Sequence, residues 1–207
     1  MKASFTSAKL ELPPTPTPRS KGVHASGVIR AIATEMGILG KPEWMDVPSM
    51  ADQREITDPT AILRICIGLA WEEWYILNIL FTQGVIKHPG EMFLDDIYMS
   101  PDGESVDVII TSGKHMVVTI IHEVKATYKS INTVSDLSSQ WLWLSQVKAY
   151  CKGANTRFAR LHILYLCGDY KYPLKPQLHV WDLEFTQKEI DDNWQLLSDY
   201  KNFREAK

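Results

Sequence analysis

Cysteine is scarce in this chain of 207 residues: Cys66, Cys151 and Cys167 are widely scattered and odd in number. They suit neither a disulfide framework nor a zinc site, which points to a reducing cytoplasm. The histidines show no H-x-x-x-H or other metal-ligand spacing. An excess of charge is missing as well. With 22 Lys and Arg against 25 Asp and Glu, the net charge of −3 argues neither for nor against nucleic acid as a partner. No run of about 18 apolar residues occurs, and the N-terminus lacks the apolar centre of a signal peptide, so the expected protein is not exported and has no membrane partner. No internal repeat is evident.

What is present suits one compact α/β domain. The sequence is 45% hydrophobic, with seven Trp and eight Tyr, enough material for a sizeable core. Residues 1–21 read as a flexible Pro-rich arm, carrying Pro13-Pro14-Thr15-Pro16-Thr17-Pro18-Arg19, which favours extended polyproline conformation. Arg19 and Lys21 could touch a DNA backbone from there. Residues 22–207 read as the single folded domain. A short helix is expected within Val23 to Met36, and a loop over residues 41–57. Asp58-Pro59 then opens a long helix as N-cap and first-turn proline, ending near Gly84.

The chain is organised around residues 91–127. Met116 to Thr127 alternates as a strand, so Glu123 and Lys125 share a face with Val117, Thr119 and Ile121. Its β-branched, weakly charged character predicts a central strand covered by helices on both faces. A carboxylate buried there needs a partner, which a divalent metal or Lys125 could supply. Asp102, in the turn signal Asp102-Gly103, offers a second carboxylate. The expected arrangement is a three-strand meander of Met92–Met99, Val106–Thr111 and Met116–Thr127, with Asp102 in the first turn. Two oxygen ligands completed by water and phosphate suit Mg²⁺. Asp95, Asp96 and Asp107 are nearby competitors.

In the long helix, periodicity allows either Glu72 or Glu73 to point inward. Further on, Gln146 and Tyr150 lie four apart and offer an amide and a phenol on one helix face. His122 falls on the strand face opposite Glu123 and reads as structural. Arg160–Cys167 and Leu178–Phe185 read as further strands, joined by a basic, aromatic, turn-rich loop that could stack and steer a nucleic-acid strand. Thr186 to Glu189 form a capping box that opens a final helix with Ile190, Trp194 and Leu197 inward.

Pro101-Asp102 and, after a gap, Glu123-Val124-Lys125 resemble the signature of the PD-(D/E)XK nuclease superfamily. Gly68-Leu69-Ala70-Trp71-Glu72 resembles its upstream G-x-x-x-E element, and Gln146-Val147-Lys148-Ala149-Tyr150 its downstream Q-x-x-x-Y motif. Together they point to the branch of λ exonuclease and the RecB-type domains, over about Gly68 to Tyr150. The resemblance implies a restriction-endonuclease-like core, a central mixed β-sheet flanked by helices. It implies a Mg²⁺- or Mn²⁺-dependent DNA nuclease, first an exonuclease acting on linear duplex ends in phage recombination or repair. An endonuclease of the same fold and a non-cleaving DNA-binding accessory subunit are the alternatives. In the resemblance Asp102, Glu123 and the Val124 carbonyl hold metal, and Glu72 assists. Lys125 orients or helps deprotonate the attacking water, and Gln146 and Tyr150 position substrate. The family spacing selects Glu72 over Glu73, with Gly68 leaving room beside it. Some RecB-like relatives carry an iron–sulfur cluster on four cysteines; three scattered ones imply none here. A single-strand annealing protein is the implied partner, and oligomerisation is open.

Overall fold

The structure is a computed structural model that describes residues 20–38, 50, 58–87, 89–111, 114–134 and 136–206. The Pro-rich run of the arm, and all of the expected 41–57 loop except Met50, lie outside the described residues.

Two sheets form. The larger joins β2 (Ile86–Lys87), β5 (Gly103–Thr111), β6 (Lys114–Thr127), β7 (Phe158–Tyr165) and β8 (Gln177–Glu184) in the order β2-β5-β6-β7-β8. β6 pairs antiparallel with β5 and parallel with β7, so the sheet is mixed. The parallel step is bridged by a helix, α3 (Trp141–Gly153), as parallel neighbours require. The smaller sheet joins β1 (Val23–His24), β4 (Ile97–Met99) and β3 (Met92–Leu94) in the order β1-β4-β3.

Helices cover both faces of β6. On one side α1 (Ala25–Glu35), α3 and α4 (Gln187–Glu205) share a core with Ile121, Leu161, Ile163 and Tyr165. Fully burying each such aliphatic contributes about 1.5–3 kcal/mol, and this cluster is the main source of stability. Thr186 accepts from the Glu189 N–H at 3.2 Å while the Glu189 carboxylate accepts from the Thr186 N–H at 2.8 Å, so the capping box closes at the start of α4.

On the other side lies α2 (Pro59–Tyr75), whose Tyr75, with Ile76 and Leu80 just beyond, packs on Val85 and Val124. The Asp58 carboxylate caps α2 by accepting from Thr60 and Ala61 N–H, both at 3.1 Å. The helix continues through a π-type turn at Ile76–Leu80 and a tight last turn, and stops at Gly84 with φ of 81°. Together Pro59–Gln83 are long and apolar enough, by length and composition, to cross a membrane. The absence of an uninterrupted apolar run stands, because Arg64, Glu72 and Glu73 interrupt this one without ending the helix. Those three charges, and the seating on Val85 and Val124, fit a sheet-covering helix.

The expected meander is corrected. Met92–Met99 is not one strand but the hairpin β3–β4, turned by Asp95 and Asp96 at φ of 49° and 59°. Two successive left-handed residues are what a two-residue hairpin loop needs, and short aspartate side chains tolerate them. This hairpin belongs to the smaller sheet, so Asp102 lies in the passage from β4 to β5 and not in a hairpin turn. Gly103 is forced at the start of β5, since a Cβ there would stand 2.7 Å from Val85 Cγ1.

Candidate active site

The β5–β6 register explains how Asp102 and Glu123 meet. Gly103 pairs with His122 at the last rung of the ladder, so one further step sets Asp102 opposite Glu123. β5 ends there, leaving the β6 edge open beyond His122, and the Asp102 carboxylate accepts the Val124 N–H at 2.7 Å. In a strand the N–H and C=O of one residue face the same neighbour, so the Val124 carbonyl faces Asp102 too.

Glu123 is 1% exposed, and its Oε1 accepts from the Lys125 ammonium. Its other oxygen, Oε2, is buried and meets no N–H donor; among the described residues it is satisfied only when Glu123 carries a proton that it shares with the Asp102 carboxylate. Burial raises the Asp102 pKa to about 7, with the Glu72 carboxylate adding to the rise and Lys125 and the Val124 N–H opposing it. Burial likewise raises Glu123 to about 8, helped by Asp102 and opposed by Lys125. For Lys125 burial works downward, but Glu123, Asp102 and Glu72 outweigh it and hold the ammonium above its usual range. Two carboxylates facing one ammonium leave a negative charge uncompensated. A shared proton or a cation would satisfy the orphaned oxygen and that charge together.

Of the two helix glutamates, Glu72 acts electrostatically on both Asp102 and Lys125. Gly68 meets nothing within 4 Å of a built Cβ, so the space beside it is open. Gln146 and Tyr150 lie on α3, which covers the sheet face bearing Glu123 and Lys125. There the Gln146 amide donates to the Tyr150 hydroxyl at 2.8 Å, and Tyr150 is buried in the core. The competing carboxylates sit elsewhere. Asp95 accepts from the Trp194 indole at 2.7 Å and Asp96 pairs with Lys201, both on α4, while Asp107 is exposed on β5.

One buried chain escaped the sequence reading. Ser105 Oγ lies 2.8 Å from His122 Nε2, His122 Nδ1 lies 3.0 Å from His162 Nε2, and His162 Nδ1 lies 3.1 Å from the Tyr75 hydroxyl. Burial pushes His122 down to about 4 and His162 to about 3, so both rings are neutral near pH 7, each able to donate once and accept once. The chain ties α2, which carries Glu72, to the strand that carries Glu123. Only the β6–β7 pairing, invisible in sequence, brings His162 beside His122.

No protein-family model and no curated protein matches the chain. Solved structures do. An alkaline exonuclease from Laribacter hongkongensis aligns over 90% of this chain and 89% of its own, with a TM-score of 0.52 at 12% identity. A phage-related exonuclease from Haemophilus somnus 129PT aligns over 86% of this chain and 91% of its own, with a TM-score of 0.50 at 11% identity. The chain thus shares the fold of these two exonucleases, a restriction-endonuclease-like α/β core.

Proposed function

We propose that the chain is a Mg²⁺- or Mn²⁺-dependent deoxyribonuclease that processes the ends of linear duplex DNA. The observation that carries this reading is the half-buried Asp102 facing the buried Glu123, whose Oε2 lacks an N–H donor, with the Lys125 ammonium beside them. Among the described residues no three His, Cys, Asp or Glu side chains form a cage. That suits Mg²⁺, which keeps several waters and takes one or two carboxylates plus substrate phosphate.

Asp102, Glu123 and the Val124 carbonyl would hold the cation, with Glu72 assisting directly or through water. A divalent ion there supplies charge stabilisation at the phosphate and makes water more acidic. Lys125 orients the attacking water and offsets charge on the phosphate. Its raised pKa favours that task over proton abstraction. Gln146 positions the strand, and the buried Tyr150 hydroxyl holds its amide in place on α3. In recombination or repair, a single-strand annealing protein would receive the strand that resection exposes.

The test is incubation of linear and closed-circular duplex DNA with chelator, Mg²⁺ or Mn²⁺. Loss of linear DNA alone, only with metal, is the expected result. Nicked circles would mean an endonuclease, binding without cleavage an accessory subunit, and cleavage in chelator would sink the metal role. Within the site, Glu72→Ala is expected to slow cleavage about tenfold, while Glu73→Ala changes it little. Rates measured on folded variants decide this, and a loss confined to Glu73→Ala would reverse the assignment.

A further inference from the structure

Beyond Lys125, β6 runs into a cleft lined by Arg64, Ala126, Thr127, Tyr128, Lys129 and Leu166. Arg64 projects from α2 over the Tyr128 ring, with its guanidinium carbon 5.5 Å from the ring centroid. Lys129 lies 5.1 Å from the Trp143 ring and donates to Gln140 Oε1 at 2.7 Å. The Tyr170 hydroxyl, from the β7–β8 loop, donates to the Tyr128 carbonyl and fastens that loop to the cleft.

The charge here is unusual for this chain. Most cations with described side chains are paired with carboxylates: Lys152 with Asp191, Arg157 with Glu184, Arg160 with Asp182, Lys188 with Asp192, Arg204 with Glu35. Arg64 and Lys129 are instead held on aromatic rings, and among the described residues neither has a carboxylate partner. The Gln140 amide oxygen takes one Lys129 donor, no carboxylate among the described residues takes another from either cation, and an arginine already ordered over a ring loses less freedom when it binds an anion. Tyr128 and Tyr170, 37% and 54% exposed, add flat apolar surface beside the cations.

We propose that this cleft is a subsite for an unpaired stretch of nucleic-acid strand, with phosphate on Arg64 and Lys129 and a base against the tyrosines. Rings and cations together recognise single strands, because a base reaches a side-chain ring only when it has left its duplex. The position agrees. Tyr128 is three residues past Lys125, about 10 Å along the strand, and Arg64 is eight residues before Glu72, about 12 Å along the helix. The cleft would thus take nucleotides adjoining the scissile phosphate on the same strand. Only that last step rests on the nuclease reading.

Anisotropy of dye-labelled dT12 with the full chain in EDTA, over a range of salt, tests the cleft without any cleavage. For Arg64→Gln/Lys129→Gln, affinity is expected to fall about tenfold or more. The log–log salt slope should flatten by about 1.4, the effect of losing two phosphate contacts on a single strand. Lys129→Gln alone should flatten it by about half as much, which keeps the test open if the double variant folds poorly. Tyr128→Leu should weaken binding and leave the slope unchanged. An unaltered slope and affinity in both glutamine variants would overturn the proposal, as would a polyglutamate peptide competing as well as unlabelled dT12. Failure of the nuclease reading looks different: dT12 binding that depends on Arg64 and Lys129, with no DNA cut under either metal.

Discussion

Lys125→Ala is expected to lower cleavage of linear duplex DNA by about a hundredfold or more while DNA affinity hardly moves, the usual scale for losing a positioned charge-stabilising group. The Lys125 side chain is 24% exposed, at the rim of the pair, whereas that of Glu123 lies beneath it at 1%. Lys125 therefore sits where solvent and substrate arrive, and it is one cation among many that DNA would meet. Removing it leaves the buried Glu123 and the half-buried Asp102 without an ammonium, but their raised pKa values allow one of them to take up a proton near neutrality, so the fold is expected to survive. Lys125→Met, which keeps the apolar stem, guards against a packing artefact. Single-turnover rates, with binding by anisotropy and a thermal melt on each variant, check the outcome. Cleavage near the parental rate would reduce Lys125 to a neutralising partner of Glu123.

Asp102→Asn is expected to abolish more activity, by about a thousandfold, and also to remove a metal effect visible without substrate. In the metal-free protein Asp102 and Glu123 hold their protons to about pH 7 and 8. Groups with raised folded pKa values stabilise the fold below their unfolded pKa, and that stability is lost as pH rises through the folded value. His122 and His162 act in the opposite direction, because their folded pKa values are lowered, but their contribution is complete above their unfolded value of 6.5. From about pH 6.5 to 8 the acids therefore dominate these four groups, and the melting temperature of the metal-free protein should fall. Millimolar Mg²⁺ should restore it more at pH 8 than at pH 6.5, since there are fewer protons to displace. Asp102→Asn should show a shallower fall and a smaller response to Mg²⁺. A melting temperature that is flat across this window, with no response to Mg²⁺, would remove the metal from the site.

Much of this site was legible because strand and helix periods are short-range. Alternation put Glu123 and Lys125 on one face, and Asp58-Pro59 and the Thr186–Glu189 box marked helix starts through local hydrogen bonds. The failures share a cause. Whether Met92–Met99 was one strand or two depended on Asp95 and Asp96 both turning left-handed, which each tolerates and neither requires. Helical period left Glu72 and Glu73 equivalent, since both flank apolar stripes, and it is the packing of α2 on β6 that lets Glu72 act on Asp102 and Lys125. The His122–His162–Tyr75 chain and the Arg64–Tyr128 contact each join residues brought together by sheet and helix packing, so no local pattern announces them.

The hairpin that brings Asp102 opposite Glu123 also makes the twenty-residue gap between them stretchable at one end and rigid at the other. Its nine paired rungs hold the Thr111–Lys114 end of the ladder about 30 Å from the carboxylates. Residues added there, a fluorophore tag or a whole peptide, would lengthen the gap without moving either acid. A single residue added inside β5 would slip the ladder by one and turn Asp102 to the opposite face, so one inserted alanine near the site does more damage than a long insertion between Thr111 and Lys114.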